Sequence, residues 1–187
     1  MRYSMLILAA AAFSTALYAQ DADASVQALQ RAYNGQKGKI LGGAQAMSEA
    51  DYLLKPGEGS RTFAQVVGHI ADAQAGTCGS VAGTPTQLNA ENGLKTKAEL
   101  VAALEKSFAL CDTAYGATTS ANHDAATAAA FGGPQPRNAI LWNNVAHSEE
   151  MYGTMGVYLR IKGIVPPSTA ARQGGGKGGA KGGGKGK

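Results

Sequence analysis

Cysteine is nearly absent from this 187-residue chain. Only Cys78 and Cys111 occur, and neither sits in a C-x-x-C pair, so a redox-active dithiol motif is not supported. Histidine is almost as scarce, with three residues: His69, His123 and His147. There is no G-x-S-x-G elbow and no phosphate-binding loop, which removes the common nucleophile and nucleotide classes. No stretch alternates apolar and polar residues convincingly, which argues against a sheet. Apolar runs are short. The one that opens the chain, MRYSMLILAAAAFSTALYAQ, falls short of the roughly 20 apolar residues that a membrane helix needs. No aromatics interleave with the basic residues, so a single-strand nucleic-acid binder is not supported and no nucleic-acid partner is expected.

The two ends read as separate from the fold. Arg2, an apolar run and then small residues make residues 1–19 a secretory signal peptide, cut after Ala19. The chain is therefore expected to be exported, to the periplasm or beyond the cell. Residues 171–187, mostly RQGGGKGGAKGGGKGK, are too poor in apolar side chains to offset their ordering entropy and are expected to be disordered. The formal charge of +4 belongs to these ends: without Arg2 and the five cations of the tail, the remainder carries about −2. The tail suits contact with anionic cell-surface material, or solubility alone.

Residues 20–170 form the domain, and its pattern is helical throughout. A first helix spans Ala24 to Ala46, weakened by Gly35, Gly38 and Gly42. A second spans Thr62 to Val81, capped by Ser60 alone or by Thr62 with Gln65 as a capping box. The third opens on Thr96 and Glu99, a T-x-x-E box, and carries Leu100, Leu104, Phe108 and Cys111. The fourth opens with Pro136 at the first helical position and ends near Gly163, ahead of Pro166 and Pro167. Four such helices make an all-α four-helix bundle. The cysteines bear on its topology. Cys78 and Cys111 both lie late in their helices, so a disulfide between them needs those helices parallel, joined by the long Gly83-to-Lys95 connection. That order is up-down-down-up.

His69 and His147 fall in mid-helix on two different helices, and His123 falls in a loop. A lone histidine on an apolar face is usually a core residue. Two on facing helices of one bundle are the pattern from which such folds build metal sites. His69 has Asp72 one turn on, and His147 has Glu150 and Met151 one turn on, each sharing its histidine's face. Two imidazoles with a carboxylate suit Zn²⁺, Ni²⁺, Fe²⁺ or Mn²⁺, and Met151 would bring soft copper into range. Asp72 and Glu150 also read as ordinary solvated charges. Asn143 and Asn144 stand where they can orient a ligand or simply hydrogen-bond across the core. Ser148 cannot pair with adjacent His147 as nucleophile and base, because helical neighbours point apart. Any catalysis would be metal-borne.

Two blocks, GSRTFAQVVGHIADAQ and NNVAHSEEMYGTMGVYLRIKGIVPPS, resemble the DinB-like superfamily, and the resemblance extends over about residues 24–170. It implies an up-down-down-up bundle, often a homodimer. It also implies a divalent metal held by one histidine on the second helix and an H-x-x-x-H pair on the fourth. Some relatives use that metal to activate a small thiol, in thiol transfer or maleylpyruvate isomerisation. Matched residue by residue, His69 and His147 are two of the three ligands, and the third position is Met151. A thioether is a poor ligand for Zn²⁺ or Ni²⁺. Two readings follow. One is an exported bundle with a weak or altered metal site at His69 and His147, of a hydrolase or thiol-transferase type without established catalysis. The other is a metal-free binding or structural bundle that has lost the site. Export argues against cytosolic thiol cofactors, and nothing in these residues supports a DNA-repair role.

Overall fold

The structure is a computed structural model that describes the backbone of residues 2–129 and 132–175, with side chains from residue 22 onward. Its helices are α1 (Arg2–Ala46), α2 (Phe63–Val81), α3 (Ala90–Gly93), α4 (Lys97–Gly116), α5 (Arg137–Ile161) and α6 (Pro167–Gly175), with a 3-10 turn at Ala50–Leu53. The first part of α1 coincides with the segment read as an export signal. The Gly/Lys segment from 176 on lies outside the described residues.

Local chemistry sets the main boundaries. Thr62 and Gln65 close a capping box at the start of α2: the Gln65 N–H donates to Thr62 Oγ1 (3.2 Å) and the Thr62 N–H to Gln65 Oε1 (2.8 Å). Ser60 is therefore not the cap. Thr96 and Glu99 repeat the device on α4. Pro136 caps α5 rather than opening it, and ends a two-residue strand, Gln135–Pro136 (β2), paired antiparallel with Ala126–Thr127 (β1). The loop before α5 is thus a small hairpin. α5 stops where Gly163 takes a left-handed φ of 71°, a conformation that favours glycine.

The helices form a ring in which α1 touches α4 and α5, and α2 touches α4 and α5. Gln30 Nε2 donates to the Tyr115 carbonyl, and Lys97 Nζ to the Gln45 carbonyl, so α1 and α4 run antiparallel. The Tyr115 hydroxyl reaches the Leu141 carbonyl, and the Tyr158 hydroxyl the Arg61 carbonyl, so α5 is antiparallel to both α4 and α2. Cys78 and Cys111 are bonded, with their Cα atoms 4.8 Å apart, so α2 and α4 run parallel. The order is up-down-down-up. A core of Leu29, Tyr33, Ile40, Phe63, Ile70, Leu100, Leu104, Phe108, Leu141 and Met155 fills the centre.

Two elements depart from the sequence expectation. The Gly83-to-Lys95 connection contains α3, which packs across the middle of α2. There a Cβ on Gly68 would stand 2.6 Å from the Glu91 Cα, so no larger residue fits without displacing α3. And the tail expected to be disordered from residue 171 begins as helix: α6 continues to Gly175. It is pinned by the Ser168 N–H to the Tyr152 hydroxyl (2.9 Å) and by that hydroxyl to Ser168 Oγ (3.0 Å). Pro167 packs on Gly42, where a Cβ would lie 3.2 Å from the proline ring. One of the glycines that weaken α1 as a helix therefore gives α6 its seat.

Closing a 33-residue separation, the disulfide should stabilise the fold by about 3–4 kcal/mol through the unfolded chain. Intact mass should rise by two protons' worth on reduction and Tm should fall. Free thiols in the untreated protein would overturn the pairing.

Candidate metal centre

α2 and α5 face each other with His69 and His147 at the same level. His69 Nε2 and His147 Nε2 are 3.3 Å apart, with the rings edge-to-face. His147 is half-buried, and burial pushes its imidazole below the ordinary value. The neighbouring His69 acts in the same direction, and Glu150 opposes it.

The residue that completes the arrangement is one that sequence reasoning missed. Glu91, on α3, places Oε2 2.9 Å from His69 Nδ1. Its other oxygen accepts from Arg61 Nε at 2.7 Å. Burial raises the Glu91 carboxyl, but the hydrogen bonds from Arg61 and His69 outweigh it and hold the group below its usual range. Glu91 is therefore an anion, and the Nδ1 that faces it carries the proton. That fixes the tautomer of His69 and leaves the Nε2 lone pair aimed at His147. A chain of hydrogen bonds results: His147 Nε2–H donates to His69, His69 Nδ1–H donates to Glu91, and Glu91 also accepts from Arg61.

Asp72 does not join the histidines. Its two carboxylate oxygens accept from the backbone N–H groups of Ala90 (2.7 Å) and Glu91 (2.9 Å). It caps α3 from the neighbouring helix, a favourable place for an anion. The i, i+3 spacing put Asp72 on the right face of α2, but the free N–H groups of α3 were nearer to hand. Glu150 lies exposed on α5, and Met151 is buried in the core cluster. His123 is in the loop, partly buried: Nδ1 meets the Ser120 carbonyl at 2.9 Å and Nε2 the Asp124 carboxylate at 3.2 Å. It braces the loop ahead of the hairpin. Asn144 points at the disulfide, with Nδ2 3.6 Å from Cys78 Sγ, and is not a partner of either histidine.

Among the described residues no three His, Cys, Asp or Glu side chains are grouped to hold an ion. The two imidazoles nevertheless fit one. At a metal–nitrogen distance of about 2.0–2.1 Å and a tetrahedral angle, two ligating nitrogens stand about 3.3 Å apart, the separation found here. The Glu91–His69 contact is the carboxylate–histidine support that metal-ligating imidazoles usually have. Beside His147 opens a cavity of about 300 Å³, lined also by Thr77, Gln135, Ile140, Asn143 and Asn144.

The support of Glu91 can be tested through its cap. Asp72→Ala removes both acceptors from α3 and should cost about 1–2 kcal/mol. Thermal unfolding reads that loss. The ¹⁵N shifts of His69 should move with it, because Glu91 is displaced. Unchanged His69 shifts would show that α3 does not depend on Asp72.

Comparison with known proteins follows the same lines. The fold is similar to that of a crystal structure of a DinB-like protein from Bacillus cereus ATCC 10987, with a TM-score of 0.64, over 75% of this chain and 95% of that one. The two sequences are 16% identical, so the likeness speaks for the fold alone. No curated protein matches the chain. The family model of the DinB superfamily matches residues 38–155, a span that covers both histidines and most of the bundle, and the chain belongs to that superfamily.

Proposed function

We propose that this protein is an exported, weakly metal-binding member of its superfamily, in which His69 and His147 hold a divalent transition ion. The observation that carries the reading is the 3.3 Å separation of the two Nε2 atoms, which suits a shared ion without movement of either helix. Zn²⁺, Ni²⁺, Fe²⁺ and Mn²⁺ all accept such nitrogens. Once bound, an ion of this kind activates a water or a thiol, which is hydrolase or thiol-transferase chemistry. The chain's own residues do the rest. Glu91 keeps the His69 lone pair on Nε2. Binding asks His147 to move its proton to Nδ1. The cavity beside His147 has room for a small molecule, with Asn143 and Gln135 among its polar lining. Met151 keeps the site weak: a buried thioether one turn from His147 adds little for a borderline ion.

A second reading is favoured by this chain of hydrogen bonds itself. His147, His69, Glu91 and Arg61 satisfy one another without an ion. A metal-free bundle that binds a ligand in the adjoining cavity needs nothing more.

Metal analysis of tag-free mature protein separates the two. The first reading expects bound metal that is lost in a His69→Ala, His147→Ala double variant, and calorimetric affinity for Zn²⁺ or Ni²⁺ that rises at least tenfold in Met151→His. No metal in the native protein after incubation with these ions, and no gain in Met151→His, would leave the metal-free reading. Export has its own check: sequencing of protein recovered outside the cytoplasm should begin at Gln20. An N-terminus that retains Met1 or Arg2 would contradict cleavage.

A further inference from the structure

The walls beside the histidine pair share one chemistry. The cavity next to His147 carries three carboxamides, those of Gln135, Asn143 and Asn144, and the Thr77 hydroxyl. A larger cavity of about 880 Å³ adjoins it, since Ala73 and Ala129 line both. That second space lies between α2 and residues 85–89 of the connection, and Ser80 and Gln87 are among its polar groups. Among the described residues, no lysine or arginine lines either cavity. One carboxylate does, that of Asp72, and both its oxygens already accept from N–H groups of α3. Arg61 stands 3.5 Å from His69, but its Nε is bound to Glu91.

These walls exclude one class of ligand and favour another. A carboxylate or phosphate that enters gives up water and meets no lysine or arginine in return. Its charge also has the same sign as those of Asp72 and of Glu150, which acts on His147 through space. An uncompensated charge is the costliest group to desolvate against a protein wall. An amide is the reverse case. A carboxamide has two donors and an acceptor, so it answers another amide in both directions, N–H to oxygen each way. Asn144 has one end already taken. Its Nδ2 lies 3.4 Å from the Tyr115 hydroxyl and 3.6 Å from Cys78 Sγ, which leaves Oδ1 as an acceptor for a ligand N–H. No aromatic ring lines either cavity among the described residues, so a ligand that binds by stacking gains nothing here.

We infer that the ligand held beside the histidine pair is a small uncharged molecule bearing an amide, and that molecules bearing a carboxylate or phosphate, acidic thiol peptides among them, are rejected. This deepens the reading of the cavity as the ligand site and rests on it. It does not depend on whether the histidines hold an ion.

A matched pair of probes tests it. N-acetylglycinamide and N-acetylglycine differ only in a carboxamide against a carboxylate. A bound cation would itself attract the acid, so the titration uses the purified ¹⁵N-labelled protein with excess EDTA. The backbone N–H signals of Ala73, Thr77 and Asn143 are followed. The amide should shift them saturably, with a Kd at least about tenfold below that of the acid. Asn143→Leu with Gln135→Leu should weaken the amide by about fivefold or more, with the helical circular dichroism unchanged. Asn143→Lys should reverse the order of the two probes, because it supplies the missing cation. Equal or tighter binding of the acid to the wild-type protein would overturn the inference. So would the absence of saturable shifts with the amide up to about 100 mM, a weak limit for so small a molecule. Maltose, neutral and polar but without an amide, would overturn it by binding as well as N-acetylglycinamide. Because metal is withheld throughout, these outcomes leave the metal analysis above to succeed or fail by itself.

Discussion

The parallel packing of α2 and α4, locked by Cys78 and Cys111, is the constraint on which the rest of the molecule depends. Consecutive helices joined by short turns run antiparallel. To bring two of them side by side in one direction, the chain must travel back along the full length of the bundle. The Gly83-to-Lys95 connection does so, and it carries α3 on its way. With α2 and α4 parallel, α5 can run antiparallel to both, and His147 comes opposite His69. The bond between the two sulfurs sits in the same core layer as Asn144 and the Tyr115 hydroxyl, so the polar interior of the bundle is organised around it.

The return connection also does chemical work. A loop crossing a helix must bury its own N–H and C=O groups or leave them in water. Here one turn of helix, α3, takes up that demand, and Asp72 reaches across to satisfy its leading N–H groups. Gly68 lets the backbones approach closely enough for this to happen. Glu91 then arrives beside His69 as a by-product of how the crossing is made. The carboxylate that sets the imidazole's tautomer is thus attached to the chain's solution of a purely topological problem.

Legibility in the sequence followed the range of the interactions. The capping boxes at Thr62 and Thr96 could be read because donor and acceptor lie three residues apart. The bundle order was legible because a bond between two cysteines at matching depths in their helices requires those helices to run parallel. The His69–His147 pair was found because one histidine per facing helix is a visible pattern. Glu91 was not found. Its helix is four residues long, too short for any period to show, and its cap comes from a residue 18 positions earlier. Asp72 was placed on the correct face but given the wrong neighbour, since helical spacing says which way a side chain points and not what waits there. The start of the glycine-rich tail was misread for a related reason. Ala171, Arg172 and Gln173 are good helix formers that were grouped with the glycines after them, and they extend a helix whose first residues are held by Tyr152 and Gly42.

The shortness of α3 has a further consequence. A single turn has no cooperativity of its own to resist opening, so its integrity rests on its tertiary contacts: the Asp72 oxygens, the bare surface of Gly68, the buried Ala90 and the bonds of Glu91 to Arg61 and His69. If this turn frays, His69 loses its carboxylate while both bundle helices stay folded. The electron-donating strength of the imidazole can then change without any movement of the scaffold that carries it. In this protein the rigidity of the histidine pair and the chemistry of the histidine pair belong to two different structural units, one a pair of long bundle helices and the other a single turn.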